Sequence, residues 1–92
     1  MKVKVLFNGI LADWFGTREA FLELPEGASL GELIAQLRDR FGPRTPEQLW
    51  DANGSGLARQ VLVTKGGISL HDTGSPLEED SEVHLFLLLA GG

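Results

Sequence analysis

The two glycines that end the chain, Gly91 and Gly92, are the residues best suited to chemistry. Glycine has no side chain, so a double-glycine end can pass through a narrow channel and bring its carboxylate against another protein's active site. At the average glycine usage of ~7%, two glycines end a chain by chance in about 0.5% of cases. By itself, the pair is therefore a moderate indication of a functional chain end. The alternative is that the chain end has no role.

The residues before this pair extend the candidate site. We expect a flexible tail of about residues 89–92 that enters the channel of a partner protein. The members of this tail are Leu89, Ala90, Gly91 and Gly92. The carboxyl carbon of Gly92 is unhindered, and this carboxyl group is the one that we expect to react.

The other groups that could do chemistry are scattered along the chain. His71 and His84 have no second histidine or cysteine at metal-ligand spacing, so we interpret them as solvated or singly hydrogen-bonded. Ser29 suits a helix cap better than a nucleophile. The chain has no cysteine, which excludes disulfides, zinc–thiolate sites, cysteine nucleophiles and iron–sulfur clusters.

The charges favour a protein partner. Eight Lys and Arg against 13 Asp and Glu give a net charge of −5, which argues against binding to nucleic acid or to an anionic membrane. An acidic cluster precedes the last predicted strand and is either a solvated turn or a patch that steers a basic partner. It consists of Glu78, Glu79, Asp80 and Glu82.

Length and composition indicate one domain over residues 1–92. A chain of 92 residues with 42% hydrophobic residues suits a single core. The apolar run near the N-terminus is too short for a signal peptide. The longest apolar run, residues 85–90, is far shorter than the ~18 residues of a membrane span. We therefore expect a cytoplasmic protein.

Alternating apolar residues and turn residues predict five strands. The predicted strands are residues 2–8, 20–24, 61–64, 68–70 and 83–89. Residues 10–18 form a connection with one helical turn that ends at Gly16, and residues 44–60 form a loop. Trp14 and Trp50 are expected at the edge of the core, whereas an exposed tryptophan would mark a partner surface.

A helix after the second strand is the clearest element. Ser29 as N-cap and Glu32 three residues later form a capping box. Gly42 supplies the C-cap position, and Pro43 prevents continuation. One face of this helix is apolar and must lie on a sheet. Its residues are Leu30, Leu33, Ile34, Leu37 and Phe41.

The order of the elements predicts the fold class. The last strand is apolar on both faces, which suits a central strand paired on both sides. If it lies beside the first strand, the two run parallel, and the helix is a right-handed crossover over one face. This is an α+β arrangement of the ubiquitin-like β-grasp type, a mixed sheet with one main helix packed across one face.

With these features, nearly the whole chain resembles the sulfur-carrier family of the molybdopterin-synthase small subunits and the thiamine-biosynthesis carriers. The matching segments are Lys2-Val3-Lys4-Val5, Leu22-Glu23-Leu24-Pro25-Glu26-Gly27-Ala28-Ser29, Pro76-Leu77, Glu79-Asp80-Ser81-Glu82-Val83 and Ala90-Gly91-Gly92. The proline–glycine entry to the helix is moderately specific. The terminal Gly-Gly after a strand is the specific part of the resemblance.

The resemblance implies a carrier that is not itself an enzyme. An adenylyltransferase related to ubiquitin-activating enzymes would use ATP to convert the Gly92 carboxylate into an acyl adenylate, and a persulfide donor would convert that into a thiocarboxylate. A synthase, such as the molybdopterin-synthase large subunit, would then take the sulfur for the cofactor that binds molybdenum or tungsten. The chain itself would bind no cofactor and no metal. A chain without a thiol must carry sulfur on another group, which fits a thiocarboxylate.

One departure from the family concerns the tail. Molybdopterin carriers usually have two prolines just before Val-Ala-Gly-Gly, whereas this chain has Leu87-Leu88-Leu89 there. Prolines stiffen an extended tail, so the leucines leave open how the tail leaves the domain and which partner receives it. The alternatives are a carrier for thiamine or another sulfur metabolite, a ubiquitin-like modifier joined to proteins through its C-terminus, and an interaction module with an idle tail.

Overall fold

The computed structural model describes residues 1–51 and 56–88 of the chain. The strands and helices, in chain order, are β1 (Lys2–Phe7), α1 (Ile10–Phe15), β2 (Glu19–Glu23), α2 (Leu30–Phe41), β3 (Val61–Lys65), β4 (Ile68–Ser69) and β5 (Glu82–Leu87). No helix among the described residues is long and apolar enough to cross a membrane. The order of these strands and helices is the predicted one, and α1 corresponds to the predicted helical turn.

The five strands form one mixed sheet in the order β2-β1-β5-β3-β4. Strands β1 and β5 pair in parallel, with Lys4 opposite Glu82 and Phe7 opposite Leu85. The other neighbouring pairs are antiparallel. The predicted central position of the last strand is confirmed, because β5 is paired with β1 on one side and with β3 on the other.

The helix α2 and one face of the sheet share a hydrophobic core. Alternate residues of the strands are buried, as the period of two requires. The buried sheet residues are Val3, Val5, Phe7, Ala20, Leu22, Val63, Val83 and Leu85. The five predicted apolar residues of α2 are all buried too. Burial of both sets confirms that one main helix packs across one face of the sheet.

The start of α2 matches the prediction, and its end differs in part. The Ser29 hydroxyl accepts a hydrogen bond from the Glu32 backbone N–H at 3.4 Å, and the Glu32 carboxylate accepts one from the Ser29 N–H at 3.2 Å. This is the capping box. Gly42 is the C-cap, but the backbone keeps winding as a 3-10 turn over Gly42–Arg44. Pro43 prevents further α-helical bonding because it has no N–H, yet its fixed φ angle suits the tighter turn.

The segment predicted as a loop over residues 44–60 is more regular than expected. A second 3-10 turn spans Glu47–Leu49, and Trp50 forms an isolated β-bridge with Leu57. Trp50 is buried, and its indole N–H donates to the Thr45 hydroxyl at 2.9 Å. The described part of this segment is therefore held to the core by an aromatic anchor, as the expected edge position of Trp50 implies.

An aromatic cluster joins α1 to the end of β1. The rings of Phe7 and Phe15 stack with centroids 4.1 Å apart, and both meet Phe41 edge-to-face at 5.9 and 5.3 Å. The helix α1 ends at Gly16, as predicted, with a left-handed φ of 76° that glycine adopts without strain. This cluster closes the core at the end of the sheet where β5 also finishes.

We predict that Leu37→Ala lowers the free energy of unfolding by ~2–5 kcal/mol, because Leu37 is fully buried and its truncation leaves a cavity. Chemical denaturation followed by circular dichroism measures this loss. The matched control is Ile68→Ala, at an exposed apolar residue on the edge strand, which should change stability by no more than about 0.5 kcal/mol. A loss near zero for Leu37→Ala would show that this face of α2 is not core.

Candidate functional site at the end of β5

The predicted tail residues Leu89, Ala90, Gly91 and Gly92 lie outside the described residues. The structure describes the residues to which this tail is attached, Leu87 and Leu88, which we call the tail root. Leu87 is the last residue of β5, so Leu88, which the prediction placed in the strand, lies outside it. The candidate site thus begins at the end of a central strand.

Hydrogen bonds hold the end of β5 on both of its sides, and the tail root itself is bonded on the side of β3. On the side of β3, Leu87 pairs with Val61, and the Leu88 N–H donates to the Gln60 carbonyl at 2.7 Å. On the side of β1, both the backbone N–H and the side-chain amide of Asn8 donate to the Leu85 carbonyl, each at 3.1 Å. The root is therefore held in place up to the last described residue.

Apolar side chains are exposed beside the root. Leu88 is 52% exposed and Ile10 is 45% exposed, although both are large hydrophobic residues. Single exposed leucines are ordinary on a protein surface, so neither residue is informative alone. Leu88 belongs to the tail root, and Ile10 lines one groove together with Leu87, so the exposed apolar surface lies at the tail root.

The acidic cluster lies at the opposite end of β5. Its four members are exposed, as a solvated turn requires. Glu78 accepts a hydrogen bond from the Lys65 ammonium at 2.6 Å, and the Glu79 carboxylate accepts one from the backbone N–H of Lys2. Glu82 of the cluster and Leu87 of the tail root are the two ends of β5, so they lie about 17 Å apart along the strand. The alternative role as a steering patch stays a prediction.

Several features of this cluster were not predicted from the sequence. The ion pair of Lys65 with Glu78 joins residues 13 positions apart, and no spacing in the sequence signals it. Asp80 adopts a left-handed φ of 63°, and the only hint is that aspartate tolerates this conformation better than most residues. Asp80 also donates its N–H to the Lys2 carbonyl at 2.8 Å, which ties the turn to β1.

The two histidines and Ser29 lie in three different parts of the fold. His71 is exposed in a loop, whereas His84 is partly buried in β5 with its ring stacked on Phe86 at 6.1 Å. Ser29 is engaged in the capping box of α2. Within residues 1–51 and 56–88, no group of three or more His, Asp or Glu side chains could hold a metal ion.

Comparison with solved structures identifies the architecture. The chain is similar over its whole length to small archaeal modifier protein 1 (SAMP1) from Haloferax volcanii, with a TM-score of 0.85, 18% identity and 100% of both chains covered. It is similar to Urm1 from Trypanosoma brucei with a TM-score of 0.79 and 21% identity, covering 99% of this chain and 95% of that one. The chain has the ubiquitin-like β-grasp fold.

A third solved structure has the same β-grasp fold. The putative molybdopterin converting factor, subunit 1, from Pyrococcus furiosus has a TM-score of 0.74 and 24% identity, and the match covers 97% of this chain and 99% of that one. No model of a known protein family matches the chain, and no curated protein sequence matches it. At sequence identities of 18–24%, these structural similarities establish the common β-grasp fold.

We predict that the Lys65 contact controls the ionisation of Glu78 in this β-grasp domain. The hydrogen bond from the Lys65 ammonium holds the pKa of Glu78 below its ordinary value. Because the folded-state pKa is depressed, the contact stabilises the fold above the unfolded-state pKa, and this effect is lost as the pH falls through the folded-state pKa. The substitution Lys65→Met should return the Glu78 pKa towards the ordinary value, and an NMR titration of the carboxyl groups measures this change.

Lys4→Met is the control for this titration, because Lys4 pairs with Glu19 at 3.3 Å and leaves the Lys65 contact intact. It should leave the pKa of Glu78 where it is in the wild type. Added salt should reduce the wild-type shift, since Glu78 is exposed. An unchanged Glu78 pKa in Lys65→Met would contradict the assigned cause.

Proposed function

We propose that this chain is a sulfur carrier that works through the carboxylate of Gly92. Two facts together support the proposal: the sequence has Gly91-Gly92 within four residues after the tail root, and the tail root continues a central strand of a β-grasp domain. A rigid domain with a side-chain-free end can present its carboxylate deep inside another protein. In this role the chain is a co-substrate of other enzymes and binds no cofactor of its own.

The first reaction in this proposal joins the tail to a nucleotide. A Gly92 carboxylate oxygen attacks the α-phosphorus of ATP in a ubiquitin-activating-type adenylyltransferase, and pyrophosphate leaves. The product is an acyl adenylate on Gly92. The four residues after Leu88 span at most about 13–14 Å when extended, so the enzyme must bring its nucleotide within that distance of the tail root.

The second reaction replaces AMP with sulfur. The terminal sulfur of a persulfide attacks the Gly92 acyl carbon, AMP leaves, and an acyl disulfide forms. A second thiol of the donor then attacks the other sulfur of this disulfide, so the donor is oxidised to a disulfide and Gly92 keeps a thiocarboxylate. The chain contributes a tethered carboxyl group in a fixed position, and its partners supply the stabilising charges.

The acceptor of the sulfur that we favour is the large subunit of a molybdopterin synthase. The resemblance of the sequence segments supports this choice, and so does the similarity to the putative molybdopterin converting factor subunit of Pyrococcus furiosus. A thiamine-type acceptor would use the same two reactions at Gly92. Purification of the chain with its partners from native cells distinguishes a synthase large subunit from a thiazole synthase.

A second candidate function is protein modification through the C-terminus. The similarity to small archaeal modifier protein 1, with a TM-score of 0.85, favours this candidate. It requires the same adenylate of Gly92, which a lysine amine of a target protein would attack in place of a persulfide. Covalent adducts of the chain on immunoblots, lost when Gly92 is deleted, would support it.

We predict that Gly91→Val abolishes adenylation and leaves the melting temperature nearly unchanged. The buried core of the described residues runs from Val3 to Leu85, so we expect folding not to depend on Gly91. A channel shaped for glycine, in contrast, has no room for a valine side chain. A displacement of ~1 Å in an active site can cost ~100-fold in rate. Deletion of Gly92 should have the same effect, because it retracts the carboxylate by ~3.3–3.6 Å. ATP–pyrophosphate exchange with the purified adenylyltransferase measures this activity.

Gly56→Val is the matched control for this experiment. A Cβ atom at Gly56 meets no described heavy atom within 4 Å, and its φ angle is not in the left-handed region. This variant should exchange pyrophosphate at the wild-type rate. If Gly91→Val and the Gly92 deletion also exchange at that rate, the terminal glycines are not the working site.

A further inference from the structure

A groove of about 260 Å³ lies directly beside the tail root. We call it the Trp14 groove, after the largest side chain that lines it. It lies between α1, the second 3-10 turn and the residues that lead into β3. Its lining residues are Trp14, Gln48, Leu49, Ala58, Gln60, Val61, Leu87 and Leu88.

The lining of the Trp14 groove is mainly apolar. Among the described residues that form it, none carries a charge, although the chain as a whole has a net charge of −5. Trp14 is only partly buried, so its ring forms part of an accessible wall. The groove therefore suits an apolar side chain and disfavours a charged one.

Backbone hydrogen bonds hold the walls of the groove in place. The Ala58 N–H donates to the Leu49 carbonyl at 2.8 Å, and the Val61 N–H donates to the Ala58 carbonyl at 3.0 Å. Leu88 is held against Gln60 by the 2.7 Å bond described above. A groove that exists before binding costs little ordering entropy when a partner fills it.

The length of the tail determines which part of the domain must lie against the enzyme. Four residues separate Leu88 from the end of the chain, and they reach at most about 13–14 Å. An enzyme that binds the Gly92 carboxylate therefore has its active site within that distance of the root. Because an active site is recessed below an enzyme's surface, the surface around its entrance must contact the domain at the root.

We propose that the Trp14 groove is the docking surface for the enzyme that activates the Gly92 carboxylate. An apolar side chain at the mouth of that enzyme's channel inserts between Trp14 and Leu88. This inference rests on the proposed function and adds the contact that holds the domain while the tail reacts. It also gives Leu87-Leu88 a role, since these apolar residues at the root line the docking surface.

The contact should affect binding of the chain more than the chemical step. Loss of an interaction that is equal in the ground state and the transition state raises KM and leaves kcat unchanged. We therefore expect Leu88→Ser to raise the KM for the carrier by about 10-fold in ATP–pyrophosphate exchange, the scale of a buried contact residue. Leu88→Met, which keeps an apolar side chain, should keep the wild-type KM.

A second variant tests the groove without a change in the tail root. Gln48 is exposed at the rim, and Gln48→Glu places a carboxylate where the enzyme's apolar side chain must enter. It should raise KM by a similar factor. The matched controls are Ile68→Ser and Ser69→Glu, on the exposed edge strand β4, which pairs with the end of β3 farthest from the root. Both controls should show the wild-type KM.

The outcomes separate this inference from the proposed function. If the wild-type chain supports no exchange, the proposed function fails, and the docking surface fails with it. If the wild type exchanges and Leu88→Ser has an unchanged KM, only the docking surface is wrong. The same conclusion follows if Leu88→Ser raises KM while Gln48→Glu does not, or if the β4 controls raise KM equally.

Discussion

The structure depends on the parallel pairing of β1 with β5 in the middle of the sheet. Parallel neighbours cannot be joined by a tight turn, so the chain between them must cross over one face, and α2 is part of that crossing. Pairing on both sides encloses β5, whose Val83 and Leu85 are fully buried against the core. Without this pair, the antiparallel β1–β2 and β3–β4 strands would have no common sheet and α2 would have no surface to cover.

The same pairing also determines how the residues at the end of β5 are held. Because β5 is central, the residues at its end are held by Gln60 on one side and by Asn8 on the other. The charged turn lies at the start of β5, whereas the groove beside the tail root is lined by uncharged residues such as Trp14. In the proposed carrier role, a fixed root followed by a short tail would favour delivery of one carboxylate to one place.

The sequence predicted those parts of the fold that depend on local patterns. The capping box of Ser29 and the apolar face of α2 are local, and the apolar character of both faces of β5 indicated its central position. The 3-10 turns and the Trp50–Leu57 bridge depend on contacts with the core, which local patterns do not contain. The end of β5 depends on where its pairing with β3 stops, at Leu87, so the predicted strand ran past that end. For the candidate site, the sequence predicted a reactive end, which stays a prediction. It did not predict the groove beside the tail root, because Trp14 and Gln48 meet only in the folded chain.

Mass spectrometry of the C-terminal peptide tests the central claim most directly. The chain would be purified from native cells that contain the activating enzyme, and the peptide that ends in Gly92 would be isolated. Our account predicts that a fraction of this peptide has one carboxyl oxygen replaced by sulfur. Oxidation of Met1 gives nearly the same mass shift in the intact chain, so the change must be located in the C-terminal peptide. Consistent absence of the sulfur-containing peptide, with the enzyme present, would contradict the sulfur-carrier account.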